Sequence, residues 1–495
     1  MSNIGKRECG MQLNNYIKNP SHPLKTAIEK SGFQEGLNDL VEYFSVSTSK
    51  SIGTPDDLEG SRKRMLDVLP DLIYAEKHLP DHFYRSNAIR SLAAKNRTRI
   101  PNLVIIGAKG SGKTFLFRQL LRSENWRSFL SQSLPTTEEV HYQEGEIIAV
   151  TYPEQVEEKP ATWVKQVKPY LIRMLSKDLN IDEWRAVWLD VIAWSCNFEI
   201  DKEGAGIKFL NEQTNTSASY LLIFDGLEDL FPNYFENEQQ QIALKSLLQD
   251  VPSYISVIPN SKVGVMPFIR RDILEHVIKQ NLGQFLDRYK DYELKWDRTE
   301  ALRLVAWIMN HYEIYLLLGI NDQDILKSSE EQLTDALNQL WGRKLGSDQS
   351  REARSAKKIL NILSNFNDEV QSRDLVRFLA EAIKKEMESS THPDDRILSP
   401  RAIRDAFLDV GKEKLDEVKQ ENRGNRYERV LKKLEDSSSS IKFPTEQIDF
   451  LTNEEVSLLV DQGVLKKFNS RYYIAELFRL GMGIDRGKGK VKTDF

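Results

Sequence analysis

The sequence predicts an α/β core built on a parallel sheet, followed by an α-helical domain and a C-terminal winged helix. Three observations predict this class. Four short apolar runs alternate with helical stretches between residues 100 and 270, which favours a parallel sheet covered by helices. Residues 271–435 contain one helical pattern after another without a convincing strand. Beyond a tetraserine at 437–440, a helix, a strand, a turn and a second strand follow, an order typical of a winged helix.

The length and composition are those of an ordinary soluble protein with several domains. The chain has 495 residues, of which 40% are hydrophobic and 29% charged, and its formal net charge is −5. Composition therefore does not indicate nucleic-acid binding. Cys9 and Cys196 are too few for a disulfide framework and indicate a reducing compartment. The N-terminus lacks a signal-peptide core, and the apolar stretch 302–320 is interrupted by Arg303 and Glu313. A cytoplasmic protein without membrane contact is expected.

The first half of the chain is predicted to hold the core. Residues 1–60 are polar and are expected to form a flexible N-terminal lead-in. Residues 61–275 are predicted to form the α/β core, which opens with helical spacing over 62–98. Its strands are predicted at 102–107, 145–152, 219–226 and 262–269, and its later helices at 113–122, 162–200 and 238–250.

The second half is predicted to hold a helical domain and a small module. Residues 276–436 are predicted to form the helical domain, residues 441–482 the winged helix, and residues 483–495 a basic tail. Gly463 is predicted to end the helix of the winged helix, and an Asn-Ser turn to join its strands.

The charge of the C-terminal module does not favour DNA. Residues 441–495 carry nine Lys and Arg against eight Asp and Glu, a net charge of +1. Packing against the core or a partner is therefore favoured. Weak phosphate contact is the alternative, through Arg486, Lys488, Lys490 and Lys492.

A phosphate-binding loop is predicted where the first strand ends. The stretch from Gly107 to Thr114 fits the pattern G-x-x-x-x-G-K-[ST], follows a predicted strand and opens a helix. Its glycines let backbone N–H groups face phosphate oxygens, its lysine places a cation beside them, and the helix points its positive end at the same anion. A glycine turn that holds Lys-Thr by chance is the alternative. The predicted nucleotide-binding residues are Gly107, Lys109, Gly110, Ser111, Gly112, Lys113 and Thr114.

Two further acids complete the predicted chemistry. Asp225 follows the buried run 221–224 and is predicted to hold Mg²⁺ together with Thr114; an ordinary Asp-Gly turn is the alternative. Glu228 is predicted to be the base that activates the attacking water, ahead of Asp229. An acid directly after the magnesium aspartate is the commoner arrangement, but Gly226 occupies that place. If both acids lie in a solvated loop, hydrolysis is slow or the protein only binds nucleotide.

At this point the sequence resembles the STAND and KAP-like P-loop ATPases, relatives of the AAA+ and origin-recognition proteins. The resemblance covers residues 100–485 and rests on the P-loop, on "DGLED" after the second motif, on "KVGVMPFIRRDIL", on "QSRDLVRFLAEAI" and on "SRYYIAELFRLGMG". It implies an α/β P-loop NTPase core with a parallel sheet, followed by an α-helical lid and a C-terminal winged helix. The lid helix of the family usually carries a proline beside its arginine, whereas Ser372 precedes Arg373 here.

Three arginines are candidates for stabilising the negative charge that develops on the γ-phosphate during transfer. Arg270 and Arg271, just past the fourth strand, are predicted to serve this nucleotide or one in a neighbouring subunit. A surface salt bridge with Asp272 or Asp291 is their alternative role. Arg373 at the start of a lid helix is predicted to contact the phosphates, and its alternative is an ion pair with Asp374 or Asp368.

These observations predict a Mg·ATP-binding and hydrolysing conformational switch. It is expected to regulate a protein effector or regulator encoded separately. A homo-oligomer is the other predicted assembly. By resemblance, the setting is a bacterial signalling or defence system. The first alternative is a DNA-engaged ATPase of the origin-recognition or helicase-loader type, and the second is a nucleotide-binding scaffold that does not hydrolyse.

Overall fold

In the computed structural model, the described residues are 55–74, 79–80, 82–134, 142–157, 159–198, 205–315, 322–346, 354–367, 369–419, 426–438 and 441–486. The chain divides into two units, Met1–Glu59 and Gly60–Phe495. Of the first unit only residues 55–59 are described, at the start of helix α1, so the predicted lead-in lies almost wholly outside the described residues. Cys9, His141, Asp368 and the three lysines of the predicted tail also lie outside them.

A five-stranded parallel sheet forms the centre of the second unit. Its strand order is β2-β3-β4-β1-β5. The strands are β1 (Ile105–Gly107), β2 (Glu146–Thr151), β3 (Tyr220–Phe224), β4 (Val263–Arg270) and β5 (Glu293–Leu294). The first four coincide with the predicted apolar runs, which confirms the α/β class with a parallel sheet.

The fifth strand corrects the expectation that residues 271–435 contain no strand. Glu293 and Leu294 pair with Ile106 and Gly107 of β1. A strand this short has no apolar run of its own, and its position beside β1 is set by tertiary pairing.

Helices alternate with the strands along the chain. In the first half they are α1 (Pro55–Leu72), α2 (Asn87–Lys95), α3 (Lys113–Ser123), α4 (Trp126–Ser133), α5 (Lys168–Leu175), α6 (Ile181–Ser195), α7 (Ala205–Gln213), α8 (Leu227–Leu230), α9 (Glu238–Lys245), α10 (Val251–Ser256), α11 (Arg271–Val277) and α12 (Leu282–Tyr289). Single π-helical turns cover Trp163–Val167 and Ser246–Asp250, and a 3₁₀ turn covers Lys290–Tyr292.

The predicted helix over 162–200 is two helices. It breaks between Leu175 and Ile181, because Asn180 caps α6 and forms a reciprocal capping box with Glu183. The indole of Trp188, on α6, packs edge-on against Phe224 with ring centroids 5.9 Å apart. Trp188 is fully buried, so it is a core residue that supports the end of β3.

The second half continues with helices and ends in a hairpin. Its elements are α13 (Arg298–His311), α14 (Asp322–Lys327), α15 (Glu330–Ala336), α16 (Asn338–Trp341), α17 (Ser355–Leu363), α18 (Ser372–Met387), α19 (Pro400–Lys419), α20 (Arg426–Asp436), α21 (Asn453–Asp461), β6 (Leu465–Phe468), β7 (Arg471–Ile474) and α22 (Glu476–Gly481). Helices α18 and α19 pack together through the stacked rings of Phe378 and Phe407, 4.6 Å between centroids.

The last elements follow the predicted order. Gly463 has a φ of 67° just after α21, and β6 and β7 form an antiparallel hairpin. Asn469 and Ser470 turn the chain with positive φ values of 46° and 63°. The interpretation of these elements as a winged helix, and the predicted domain boundaries, stay predictions. Within the described part of the chain, every helix is too short or too polar to cross a membrane.

Candidate nucleotide site

The predicted phosphate loop lies at the topological switch point of the sheet. It joins β1 to α3, and β1 lies between β4 and β5. After β1 the chain crosses to β2 at the far edge, whereas the connection from β4 to β5 passes to the other side of β1. Ligands of open parallel sheets bind at the carboxyl ends of the strands at such a point.

The glycines of the loop are required by its geometry. Gly110 and Gly112 have φ values of 74° and 96°, which residues with a side chain rarely adopt. A Cβ at Gly107 would lie 2.4 Å from Ser111 Oγ. Helix α3 begins at Lys113 without a side-chain cap, so its first N–H groups are available to an anion.

Lys113 is buried within the loop. Its Nζ donates hydrogen bonds to the carbonyl oxygens of Gly107 (3.1 Å) and Ala108 (2.9 Å). Burial lowers the pKa of Lys113 to about 8; the carboxylates of Glu228 and Asp225 oppose the shift, and the guanidinium of Arg270 adds to it. The ammonium thus lies among groups of both signs at the base of the loop.

Asp225 lies at the end of β3, in contact with Thr114. Thr151 Oγ1 donates to the Asp225 carbonyl oxygen (2.8 Å), and the Thr114 hydroxyl donates to the Asp225 carboxylate. Burial and the charge of Glu228 raise the pKa of Asp225 to about 7, against the hydrogen bond from Thr114 and the charge of Lys113. The hydroxyl and the carboxylate are the oxygen ligands that Mg²⁺ prefers.

Two buried carboxylate oxygens in this region have no hydrogen-bond partner among the described residues, Asp225 Oδ2 and Glu228 Oε2. A buried polar atom without a partner costs about 1–3 kcal/mol, and more when it is charged. A bound cation or a polarised water would remove that cost, so the residues present fit a Mg²⁺ site.

The acids after β3 have different surroundings. Asp229 Oδ2 accepts a hydrogen bond from the Glu154 backbone N–H (2.7 Å), which ties α8 to the segment after β2. Gly226 has a φ of 72°, and a Cβ there would lie 2.4 Å from the backbone nitrogen of Pro153. An acid therefore cannot occupy position 226. Glu228 lines the cavity, and its charge acts on Lys113; Asp229 lines the cavity too, but its Oδ2 is engaged by the Glu154 N–H. The role of Glu228 as the base stays a prediction.

The three arginines are placed differently. Arg270 lines the cavity and forms an ion pair with Asp272 (3.0 Å). Arg271 is not among the described residues that line the cavity; it forms ion pairs with Glu275 (2.9 Å) and Glu293 (2.5 Å), not with the predicted Asp272 or Asp291.

Arg373 lines the cavity from the start of α18. Its guanidinium lies 5.8 Å from the ring centroid of Tyr74 and 4.0 Å from Glu417, and its charge lowers the pKa of Lys113. The ion pair with Asp374 suggested by the sequence belongs instead to Arg377 and Lys414. The structure thus brings Arg270 and Arg373 to the phosphate loop and leaves Arg271 outside it.

The loop opens into a cavity of about 930 Å³, within the size range of ligand sites. The charged residues described above line this cavity together with aromatic side chains that sequence reasoning missed. These are Tyr74, His82, Phe83, Tyr84, Phe115, Tyr234, Trp296, Trp307 and Tyr312. They come from several separate stretches of the chain, without a shared motif, so only the fold identifies them.

Lys109, predicted to bind phosphate, joins the loop to α19. Its Nζ donates to the backbone carbonyl oxygen of Glu417 on α19 (3.0 Å), although it lines the cavity. Ser111, another predicted contact, has a buried hydroxyl without a hydrogen-bond partner in the described part of the chain. The loop therefore contacts the helices of the second half directly.

Comparison with known proteins leaves the family open. No model of a protein family matches the chain, and no curated protein matches it. Among solved structures, the chain is similar to the ORC2 protein of Aeropyrum pernix in ADPNP-ADP complexes, with 12% identity, a TM-score of 0.35 and coverage of 85% of this chain and 97% of that one. It is also similar to a Walker-type ATPase of Pyrococcus abyssi, with 12% identity, a TM-score of 0.36 and coverage of 82% and 97%. Likenesses this distant carry no argument, and the STAND/KAP resemblance stays a prediction.

Proposed function

We propose that the protein binds Mg·ATP in this cavity and hydrolyses it, and that the nucleotide sets the position of the helices around the loop. The observation that carries the proposal is the convergence of four features in one cavity. They are the phosphate loop with buried Lys113, the Thr114–Asp225 contact, the Glu228 carboxylate with its buried Oε2, and the guanidinium groups of Arg270 and Arg373.

The loop is suited to a triphosphate. Backbone N–H groups at the start of α3 would face the phosphate oxygens, and Lys113 would exchange its bonds to Gly107 and Ala108 for bonds to phosphate. Aromatic side chains of the cavity wall offer ring faces on which a purine base can stack. The cavity thus combines charged groups for the phosphates of ATP with aromatic groups for its base.

The acids and arginines supply the hydrolytic chemistry. Thr114 and Asp225 would hold Mg²⁺, which neutralises charge on the phosphates when bound. Glu228 would accept a proton from water as the water oxygen bonds to the γ-phosphorus and the bond to the bridging oxygen breaks. Arg270 and Arg373 would stabilise the charge on the transferring group.

The same contacts support the role of a switch. Arg373 lines the cavity and belongs to α18, and Lys109 of the loop contacts α19, so the loop and its surroundings are joined to the helical region. A ligand changes a conformational equilibrium only through contacts that differ between the two states. We propose that the helical region is a lid that closes on ATP and that a protein effector or regulator, or another copy of the chain, reads its position.

Turnover of Mg·ATP by the wild type, Lys113→Ala and Glu228→Gln tests this proposal. Lys113→Ala is expected to lose nucleotide binding, and Glu228→Gln to keep binding but to lose about 100-fold or more in turnover. Matched controls are Lys208→Ala and Glu212→Gln, two exposed residues that pair with each other on α7. Absence of Mg·ATP uptake by the wild type in calorimetry would refute the proposal. Equal, negligible turnover with intact binding would instead indicate the non-hydrolysing scaffold.

DNA engagement is the competing function. The hairpin carries Lys466, Lys467 and Arg471, but Arg471 pairs with Glu446 (2.8 Å). Retention on duplex DNA at low salt, together with faster hydrolysis, would favour the DNA-engaged alternative over a protein partner.

A further inference from the structure

Two side chains distant in sequence from the phosphate loop donate hydrogen bonds to its backbone carbonyl groups. The Trp296 indole Nε1 donates to the Ser111 carbonyl oxygen (2.9 Å), and the Ser372 hydroxyl donates to the Gly110 carbonyl oxygen (3.1 Å). The backbone N–H of Arg373 donates to the same Gly110 oxygen (3.2 Å). Two consecutive carbonyl groups of the loop are therefore fixed by the second half of the chain.

A hydrogen bond that fixes the orientation of a carbonyl group also fixes the orientation of the N–H in the same peptide group. A trans peptide is planar, and its C=O and N–H point in opposite directions. The bond from Trp296 to Ser111 therefore turns the Gly112 N–H to the opposite side, at the start of α3. In the preceding peptide, the Ser111 N–H closes an internal turn onto the Ala108 carbonyl oxygen (3.2 Å). The backbone conformation of the loop is thus determined both by the contact with Trp296 and by its own internal turn.

The two holding residues are connected to each other. The Val370 N–H donates to the Trp296 carbonyl oxygen (3.2 Å), which places the residues before α18 beside the end of β5. Gly110 permits the close approach of the loop to the residues before α18. A Cβ at position 110 would lie 3.0 Å from Gln371 Oε1, and the φ of Gly110 is 74°. Position 110 is a variable position of the loop pattern, so the glycine serves this contact and this turn.

The start of α18 is itself fixed to α19. Buried Lys414 forms an ion pair with buried Asp374 (2.7 Å) and also donates to Gln371 Oε1. A movement of α19 would therefore be transmitted to Ser372 and to the loop.

We propose that Trp296 and Ser372 are positioning residues for the phosphate loop, and that through them nucleotide affinity depends on the docking of α18 and α19. The inference rests on the proposed function. It concerns regulation of the site, because any partner that moves these two helices would alter the direction of the loop N–H groups.

Binding of Mg·ADP, measured by calorimetry, tests the inference. Trp296→Phe keeps a ring in place and removes the N–H; Ser372→Ala removes the hydroxyl. Each is expected to raise the Kd about threefold to tenfold, the effect of one lost hydrogen bond, and Ser372→Thr is expected to restore the affinity. Matched controls are Trp341→Phe and Ser355→Ala, because the Trp341 Nε1 and Ser355 Oγ atoms are buried without a hydrogen-bond partner among the described residues. An unchanged Kd in both test variants would overturn the inference.

Amide hydrogen exchange separates this inference from the proposed function. Without nucleotide, Trp296→Phe and Ser372→Ala are expected to speed exchange at residues 110–113 relative to the wild type and to the two controls. If the wild type bound no nucleotide, the proposed function would fail, and this measurement would still test the holding contacts. Unchanged exchange at the loop would contradict them.

Discussion

Both oxygens of the Asp272 carboxylate accept hydrogen bonds from the Arg270 guanidinium, Oδ1 from Nε at 3.1 Å and Oδ2 from Nη2 at 3.0 Å. Both side chains are largely buried at the end of β4. This bidentate pair fixes the plane of the guanidinium, which a lysine in the same place would not reproduce. Arg270 is thereby held at the wall of the cavity.

Replacement of Arg270 is expected to affect hydrolysis more than binding. Arg270→Ala is predicted to lower ATP turnover about 1,000-fold, the range for an arginine that stabilises phosphoryl transfer, and Arg270→Lys to recover little of it. Arg271→Ala is predicted to cost much less, because Arg271 pairs with Glu275 and Glu293 outside the cavity. Steady-state turnover measures both. A loss for Arg271→Ala as large as that for Arg270→Ala would contradict the assignment.

Removal of the metal is expected to stop hydrolysis. Chelation with EDTA is predicted to abolish turnover, and Asp225→Asn to raise the Mg²⁺ concentration for half-maximal turnover about tenfold or more. The reason is that Asp225 Oδ2 is buried without a hydrogen-bond partner among the described residues. A magnesium titration of turnover measures the effect, with exposed Asp182→Asn as the control. Identical magnesium curves for Asp225→Asn and the wild type would count against the site.

Glu417 is expected to make the fold sensitive to acid. Burial raises its pKa, but the hydrogen bond and charge of Arg377, together with the charges of Lys414 and Arg373, lower it below its ordinary value of 4.5. A lowered carboxyl pKa stabilises the fold above the unfolded pKa, and this stability is lost as pH falls through the folded pKa. Thermal unfolding measured between pH 7 and about 3 is predicted to show that the stability of the wild type falls more steeply with decreasing pH than that of Glu417→Gln.

Exposed Glu212→Gln controls for the loss of a carboxylate as such and is expected to leave the slope unchanged. Parallel curves for the wild type and Glu417→Gln would show that the interaction of Glu417 with Arg377 does not contribute.

Gly411 is expected to be essential for the contact between α19 and α22. A Cβ at Gly411 would lie 2.7 Å from the Leu477 carbonyl oxygen and 2.8 Å from the Gly481 nitrogen. Both are backbone atoms, so the helices would have to separate, and Gly411→Ala is predicted to destabilise the protein by about 1–3 kcal/mol. Chemical denaturation measures this.

Gly283→Ala is the matched control. Gly283 also lies in a helix, α12, but a Cβ there meets nothing within 4 Å. Alanine is the better helix former, so this change is predicted to be neutral or to stabilise by up to about 1 kcal/mol. Destabilisation by both substitutions alike would show that helical glycines, not the close approach, account for the effect.

The sequence by itself determined the parts whose signal is local. The apolar runs predicted β1 to β4, and the glycines with Lys113 and Thr114 predicted the phosphate loop, because strand burial and a tight glycine turn each leave a pattern within a few neighbouring residues. Asp225 was predicted by the same logic, from its place after the buried residues of β3.

Only the tertiary structure decided what lies against that loop. Strand β5 is two residues long and exists through pairing with β1, and Trp296 just after it reaches Ser111. Arg270 and Arg271 have different surroundings because each side chain takes a different direction where β4 passes into α11, which two adjacent identical residues do not reveal. Contacts between distant segments arise from packing in three dimensions, and no spacing along the chain records them.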